Sequence, residues 1–349
     1  MIERRKICRV WERGDVAALV TLVRIEGSSY RRVGARLLIA ANGEYAGNIS
    51  GGCLEAEVIR KAKWLVRDGR AVVERYSTLF DDTGDIPYGL GCGGTVDLLI
   101  EPAATPECAA LISAMQASLR REQRTVVTWL PQDGRPMRRE ILDHHGAQFF
   151  CSEGVSDVES IPFAESFDAP QRLFVMGAGD DAQPMVRVAA SLGWSVIVID
   201  GRTQWARVER FPEAEQVLAT LDAADVNEDD AVVLMTHSYE QDRAWLAALL
   251  PRTPRYLGLL GARHRSALVL HEAAAILGWP VARACEGLFA PVGLDIGGDG
   301  AEAIALATIA EIQACCEGKL GVSRRLTPAM VAERLAEGGA ERYPSQCAL

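Results

Sequence analysis

Two cysteines lie beside glycines, a setting that suits binding of a soft ligand through sulfur. Glycines next to a thiol let a ligand approach the main chain closely. A helix is predicted to begin directly after the first cluster, and its dipole would lower the pKa of that thiol toward a reactive thiolate. Thiolates suit a soft sulfur or metal centre, whereas the alternative is a pair of small buried side chains beside tight turns. The candidate residues are Gly51, Gly52, Cys53, Gly91, Cys92 and Gly93, with the two cysteines as metal ligands.

A turn at residues 27–36 combines hydroxyl and guanidinium groups. Such groups donate the charge-assisted hydrogen bonds that hold an oxyanion or a phosphate. The alternative is a solvated basic loop without a ligand. The candidate anion-binding residues are Ser28, Arg31, Arg32 and Arg36.

A second Gly-rich turn follows an apolar strand and opens a helix. Gly177 and Gly179 stand where backbone amides and a helix N-terminus approach a phosphate. Asp200, about 20 residues further on, is placed to accept hydrogen bonds from a ribose. Against this, Asp180 and Asp181 add negative charge that competes with an incoming anion. The turn therefore either binds a nucleotide or pterin nucleotide, or is kept by a Rossmann-like domain without a ligand.

His237 follows a strand that ends at Met235. Residues just past the carboxyl end of such a strand line the ligand crevice of a doubly wound fold. We include His237 among the candidate site residues, with a satisfied structural histidine as the alternative.

The first half is predicted to be a mixed α/β domain. Apolar runs indicate strands, Asn42-Gly43 is typical of a hairpin turn, and apolar residues three and four apart indicate helices. The predicted strands cover 17–25, 36–41, 44–49, 71–76, 95–100, 125–129 and 140–142, and the predicted helices cover 53–68 and a segment before Arg120.

The second half alternates strands and helices, which predicts a Rossmann-like, doubly wound parallel sheet. Predicted strands cover 173–176, 195–199, 231–235 and 256–259, and predicted helices cover 182–192, 240–250, 263–277 and 301–316. Residues 152–170 have linker composition. The predicted domains are 1–151, with a poorly defined segment at about 107–151, and 171–320, followed by a tail at 321–349.

Composition narrows the functional classes. A net charge of −10 and a pI near 5.2 argue against nucleic-acid binding. No apolar stretch approaches a membrane span, and no signal-peptide pattern follows the basic start, so we expect a cytoplasmic protein. Nine cysteines, an odd number without zinc spacing, indicate free thiols.

Together these motifs resemble the XdhC/CoxF (CoxI) accessory proteins of molybdenum hydroxylases, over about residues 16–318. The resemblance depends on the segments 26–29, 33–36, 50–55, 91–94, 177–179, 200–202, 210–212, 236–237, 256–263 and 291–297. The sequence departs from the family pattern at Tyr30 (commonly Pro), Asp180 (commonly His), Gly201, Ala262 and the segment 298–300.

The resemblance implies a chaperone that binds molybdenum cofactor (molybdopterin) rather than a catalyst. Such a protein protects the cofactor while a cysteine desulfurase supplies the sulfido ligand, then delivers it to an apo-xanthine dehydrogenase or related hydroxylase. Cys53 and Cys92 would contact molybdenum or its sulfur ligands, the residues of the 27–36 turn would hold the pterin phosphate, and Gly177 would hold a nucleotide portion. A homodimer is among the expected assemblies.

Two other functions fit the same residues. An NAD(P)-dependent oxidoreductase would bind a dinucleotide at Gly177 and use His237 as a proton relay, and it would turn over alone. A pure scaffold would join desulfurase to dehydrogenase without any small ligand.

Overall fold

The computed structural model describes residues 1–52, 54–77, 94–132, 134–153, 162–222 and 225–321. Contacts between Cα atoms divide the chain into two compact units. The N-terminal unit contains Ile2–Ala169, and the C-terminal unit begins at Pro170. No helix within the described ranges is long and apolar enough to cross a bilayer.

The N-terminal unit contains two antiparallel sheets. The first has the strand order β3-β2-β1-β5-β4 and the second the order β8-β7-β6-β9. The elements are α1 Ile2–Glu12, β1 Val16–Gly27, β2 Arg36–Ala40, β3 Tyr45–Gly47, α2 Glu55–Leu65, β4 Val72–Ser77, β5 Gly94–Pro102, α3 Pro106–Leu119, β6 Arg124–Trp129, β7 Arg138–Asp143, β8 Gln148–Cys151 and β9 Phe163–Phe167.

Side chains along the strands of the first sheet point alternately to its two faces, and a hydrophobic core lies on each face. Leu37 and Leu98 pack with Val58 of α2 on one face, whereas Leu38 and Leu19 pack with α1 and α3 on the other. Because successive side chains of a strand point to opposite faces, continuous apolar strands require helices on both sides. Helices therefore cover both faces of the sheet that contains β1, β2 and β5.

A charged pair is buried between the two sheets. Arg139 of β7 is 1% exposed and binds Glu101 of β5, which is fully buried, with Nη1–Oε2 and Nη2–Oε1 distances of 2.9 and 3.1 Å. Its remaining donors reach the Thr128 hydroxyl and the Glu107 carbonyl. The guanidinium and the carboxylate therefore satisfy each other inside the protein.

Three predicted features of this half need correction. Helix α1 was not predicted, and neither was β8. Phe163–Phe167, inside the predicted linker 152–170, forms β9 and pairs with β6 from Phe163↔Thr128 to Phe167↔Arg124. Its polar composition reflects a half-exposed edge strand rather than a linker. The predicted strands and the hairpin at 36–49 are otherwise confirmed to within a few residues.

The C-terminal unit confirms the predicted Rossmann-like fold. Five parallel strands have the order β12-β11-β10-β13-β14, with helices on both faces. The elements are β10 Arg172–Met176, α4 Ala182–Ser191, β11 Ser195–Ile199, β12 Gln216–Leu218, β13 Ala231–Leu234, α5 Tyr239–Leu249, β14 Tyr256–Leu259, α6 Arg263–Leu277, α7 Val281–Glu286 and α8 Ala301–Cys316. Strand order reverses between β10 and β13, so residues after these strands flank the usual ligand crevice.

Candidate functional site

Two of the predicted site segments meet at one end of the first sheet. Gly27, the last residue of β1, pairs in register with Gly94, the first residue of β5. A Cβ placed on Gly94 would lie 2.1 Å from the carbonyl oxygen of Ser28, so only glycine permits this approach of the two backbones. The residue that ends the second Gly-Cys cluster therefore contacts the Ser28 turn (residues 27–36).

The first Gly-Cys cluster lies against the same turn. Tyr30 covers Gly51, since a Cβ placed on Gly51 would lie 3.6 Å from the Tyr30 Cγ. Tyr30 remains 72% exposed, and Ser28, Gly51 and Gly52 are exposed as well. The Tyr30 ring thus packs on the Gly51 loop (residues 49–52).

A buried hydrogen-bond network shapes the Gly51 loop. The Glu55 carboxylate accepts hydrogen bonds from the backbone N–H groups of Ile49 (3.1 Å) and Ser50 (2.8 Å) and from the Ser50 hydroxyl. The Ser50 oxygen in turn accepts the N–H groups of Gly52 (3.2 Å) and Leu54 (3.1 Å). Burial acts to raise the pKa of Glu55, but these hydrogen bonds outweigh it and lower that pKa. Sequence reasoning did not identify Ser50 or Glu55 as site residues, although both belong to the family motif.

Four predicted site residues, Cys53, Gly91, Cys92 and Gly93, lie outside the described residues. Cys53 follows Gly52 and precedes Leu54, the two residues whose amides bind Ser50. Within the described ranges, no group of three or more His, Cys, Asp or Glu side chains is arranged to hold a metal ion. The metal-ligand prediction for the two cysteines therefore stays a prediction.

The arginines of the Ser28 turn have different environments. Arg31 makes a two-pronged ion pair with Glu3, at 2.7 and 2.5 Å, and the hydrogen bonds from this pair raise its pKa. Arg32 is exposed and makes no side-chain contact with a polar group of the described chain. Arg36 is 6% exposed, and its guanidinium is bound by Glu165 and the Gly34 carbonyl. Arg36 therefore joins β2 to β9, and a phosphate would have to compete with Glu165 for it; that Arg36 holds a phosphate stays a prediction.

A cavity of about 410 Å³ lies beside these arginines, lined by Glu3 and residues 30–35. The Arg32 guanidinium lines this cavity, and the exposed Ser28, whose hydroxyl is also a donor, belongs to the same turn. Such donors suit a phosphate or another oxyanion. This end of the sheet therefore offers donors that suit an anion beside the Gly51 loop, which Cys53 follows in the sequence.

In the C-terminal unit, the Gly177 turn (residues 177–181) has the tight geometry of a Rossmann turn. Gly177 has φ = +126°, and a Cβ there would lie 2.2 Å from the Met235 carbonyl oxygen. Its N–H donates to the Ile199 carbonyl at 2.8 Å. The turn is therefore pressed between β11 and β13, at the point where the strand order reverses.

The Asp200 carboxylate is already hydrogen-bonded to other groups of the chain. Its Oδ2 accepts the Ala178 N–H at 2.8 Å, and Arg202 donates to both carboxylate oxygens, at 2.9 and 2.6 Å. Burial acts to raise the pKa of Asp200, but the Arg202 and Ala178 hydrogen bonds outweigh it and lower the pKa to about 2. A ribose hydroxyl would have to displace Arg202 to reach this carboxylate.

The Asp200 interactions predict an acid-sensitive contribution to stability. Because the folded protein lowers this pKa, the stabilisation is complete above the ordinary value of about 4 and is lost as the pH falls toward 2. The difference in unfolding free energy between wild type and Asp200→Asn should shrink by about 2 kcal/mol between pH 6 and pH 2. Urea unfolding at both pH values measures it; a pH-independent difference would contradict the account.

Both aspartates of the Gly177 turn have partners. Asp180 is paired with Arg210 at 2.7 Å, and Arg210 also donates to the Ala178 carbonyl at 2.6 Å. Asp181 contacts His237, with an Oδ2–Nε2 distance of 2.8 Å. His237 has φ = +59°, an uncommon backbone conformation for a residue other than glycine. The structure thus brings His237 to the turn, as its position after β13 predicts.

These contacts change what the Gly177 turn offers to a ligand. The carboxylate of Asp181 lies over Gly179, where a Cβ would be 2.5 Å from its Oδ1. An incoming phosphate would therefore meet negative charge before it met the backbone amides. Sequence reasoning did not list Arg210 as a site residue, although the Arg210-Phe211-Pro212 motif was a signal for it.

Two family profiles match the chain. One, described as the XdhC Rossmann domain, matches residues 173–312. The other, described as the XdhC and CoxI family, matches residues 10–77. The second match contains both the Ser28 turn and the Gly51 loop.

Relatives match over most of the chain. A probable xanthine dehydrogenase subunit of Bacillus subtilis is 27% identical over 321 residues, covering 85% of this chain and 92% of that protein. The molybdenum cofactor insertion chaperone PaoD of Escherichia coli is 28% identical over 305 residues, covering 86% and 83%. The crystal structure of a xanthine dehydrogenase from Bacillus halodurans is 25% identical with a TM-score of 0.75, covering 94% and 99%.

Proposed function

Because the chain belongs to the XdhC and CoxI family, we propose that it binds molybdenum cofactor and delivers it to an apo-hydroxylase of the xanthine dehydrogenase type. One observation supports this most: the Ser28 turn, the Gly51 loop and Gly94 meet at one end of a sheet, with exposed donors around them. The name of the PaoD relative, a molybdenum cofactor insertion chaperone, is consistent with this function.

We propose that the N-terminal unit recognises the cofactor through two kinds of group. Ser28 and Arg32 would bind the pterin phosphate, with Arg31 available if Glu3 releases it. Cys53 and Cys92 would bind molybdenum or its sulfur ligands, because thiolates suit soft metals. Ser50 and Glu55 act indirectly, since they fix the backbone on either side of Cys53.

Sulfuration and the cellular setting are further parts of the proposal. A cysteine desulfurase would supply the terminal sulfido ligand while the chain shields the cofactor in the cytoplasm. Shielding requires a site that binds the cofactor without reacting with it. The hydroxyl of Ser28 and the guanidinium of Arg32 would bind the cofactor through hydrogen bonds alone. A homodimer stays a prediction.

The nicotinamide-dependent alternative has less support. Asp181 lies over the Gly177 turn, and Arg202 already binds both oxygens of Asp200. A dinucleotide would have to displace these groups at a cost in affinity. The structure therefore favours carriage of a cofactor by the N-terminal unit over dehydrogenation by the C-terminal unit.

Ser50→Ala tests the proposal through transfer of the cofactor. The variant removes one hydroxyl that binds Glu55 and the amides of Gly52 and Leu54, at a cost of about 1–3 kcal/mol. We expect the loaded variant to activate an apo-hydroxylase at least fivefold more slowly than the wild type does.

The matched control is Ser191→Ala, which removes an exposed hydroxyl at the end of α4 in the other unit. It should activate the apo-hydroxylase at the wild-type rate. Wild-type protein that retained the cofactor but never activated the apo-enzyme would contradict the delivery function. Equal rates for Ser50→Ala and wild type would contradict the role of the Gly51 loop.

A further inference from the structure

A second cavity in the N-terminal unit lies at the other end of the first sheet. It encloses about 550 Å³ and is lined by apolar groups that include Val72, Val73, Pro102 and Met137. Arg70 and Arg135 line it as well. Clefts of this size with an apolar lining and a few charged groups are typical ligand sites. We refer to it as the β4 cavity.

The β4 cavity is separate from the proposed cofactor site. Strand β5 begins at Gly94, beside the Ser28 turn, and ends at Pro102, in the wall of the cavity. Eight residue steps of an extended strand span roughly 27 Å. A ligand in the cavity would therefore not contact the Gly51 loop.

Among the described residues, strand β4, which lines the cavity, has one edge without a partner strand. Strand β4 is the last strand of its sheet and pairs only with β5. Among the described residues, no backbone hydrogen bond other than those to β5 involves Val72, Val73 or Glu74. Exposed strand edges pair with extended segments of other chains, which obtain main-chain hydrogen bonds from the edge and specificity from adjacent pockets.

The two arginines of the cavity differ from the other arginines nearby. Arg139 is paired with Glu101, and Arg75 is paired with Asp97. Arg70 and Arg135 are exposed, and neither guanidinium contacts an acidic or other polar group in the parts of the chain described. Glu107, the acidic residue of the lining, is held by the Ser152 hydroxyl at 2.9 Å.

The positive charge of Arg70 and Arg135 therefore indicates which ligand the β4 cavity would bind. In a chain with a net charge of −10, two guanidiniums beside an apolar cleft that have no polar partner in the described ranges favour a carboxylate. The adjacent strand edge favours an extended backbone over a small organic anion, because a small anion would leave the edge unused.

We propose that the β4 cavity binds an extended acidic segment of a partner protein. The segment adds to β4 as a further strand, inserts an apolar side chain against Val73 and Met137, and places carboxylates at Arg70 and Arg135. This inference does not depend on cofactor binding, because the cavity and the cofactor site lie at opposite ends of the sheet.

A displayed library of random eight-residue peptides, selected on the full-length protein, tests this proposal. We expect enriched peptides to alternate apolar residues with Asp or Glu and to lack proline at their centre, since proline cannot donate to a strand ladder. Synthetic copies should bind at least tenfold more weakly to an Arg70→Glu, Arg135→Glu double variant. Binding should also slow amide hydrogen exchange at Val72–Glu74.

The matched control is Arg9→Glu, which reverses an exposed charge on α1 of the same unit and should bind the peptides as the wild type does. Circular dichroism and thermal unfolding of the double variant show that it folds. Three results would overturn the proposal: no enrichment on the wild type, enriched peptides that bind the double variant equally well, or enriched peptides that tolerate central proline. Unchanged loading with molybdenum cofactor in the double variant would show that the cofactor site is intact.

Discussion

Replacing Cys53 and Cys92 together with alanine is expected to weaken the binding of molybdenum cofactor by at least about 100-fold. Loss of groups that only orient metal ligands costs 10- to 100-fold in affinity, and loss of the ligands themselves should cost no less. Thiolates are the soft donors that the proposed site offers. The Ser50 hydroxyl binds the amides of Gly52 and Leu54, so the loop around Cys53 should keep its backbone hydrogen bonds in the variant.

Anaerobic titration of the purified variant, followed through pterin fluorescence and bound molybdenum, measures this loss. Cys151→Ala is the matched control, since Cys151 is an exposed free thiol of the same unit away from the proposed site. It should bind as the wild type does. A double variant that still bound the cofactor stoichiometrically would remove both thiols from the mechanism.

Glu101→Gln is expected to destabilise the N-terminal unit by about 3–5 kcal/mol, the usual cost of breaking a buried ion pair by removing one charge. Arg139 is 1% exposed and would face a neutral amide, which keeps one accepting oxygen but loses the charge and the second acceptor, beside the Thr128 hydroxyl and the Glu107 carbonyl. An uncompensated guanidinium would then lie in a site with little water. Strands β5 and β7, which Glu101 and Arg139 join, should lose stability together.

The measurement is the free energy of unfolding in urea, complemented by hydrogen exchange of β5 and β7, because two units of one chain need not unfold together. Glu44→Gln is the control: Glu44 pairs with Arg13 at 2.7 Å, but both side chains are largely exposed. Exposed pairs contribute roughly 0–1 kcal/mol. Equal losses of unfolding free energy in Glu101→Gln and Glu44→Gln would show that burial does not strengthen the Glu101–Arg139 ion pair.

The fold was largely predictable where one local pattern determined each element. Alternating apolar strands and helices of the C-terminal unit indicated the parallel sheet, and Asn42-Gly43 indicated the hairpin of β2 and β3. The short strand β12 and helix α1 were not predicted. The sequence of β9 predicts a polar linker. It forms a strand because it pairs with β6, about 40 residues away in the chain, and no local pattern indicates this contact.

The candidate site was predictable in its parts but not in its contacts. The glycine clusters and the Ser28 turn stood out by composition, and the close approach of Gly94 to Ser28 depends on the register of β1 and β5. Arg36 resembles Arg32 in the sequence, yet Glu165 of β9 binds it in the interior. In the same way, the Arg202 contacts of Asp200 depend on side-chain geometry that spacing alone does not reveal.

The most direct test of the account is equilibrium binding of molybdenum cofactor to the purified full-length chain under anaerobic conditions, with and without excess NAD⁺ or NADP⁺. The account predicts about one molybdenum and one pterin bound per chain, with no displacement by either dinucleotide. Failure to retain the cofactor, or its release by a dinucleotide together with saturable dinucleotide binding, would contradict the central claim.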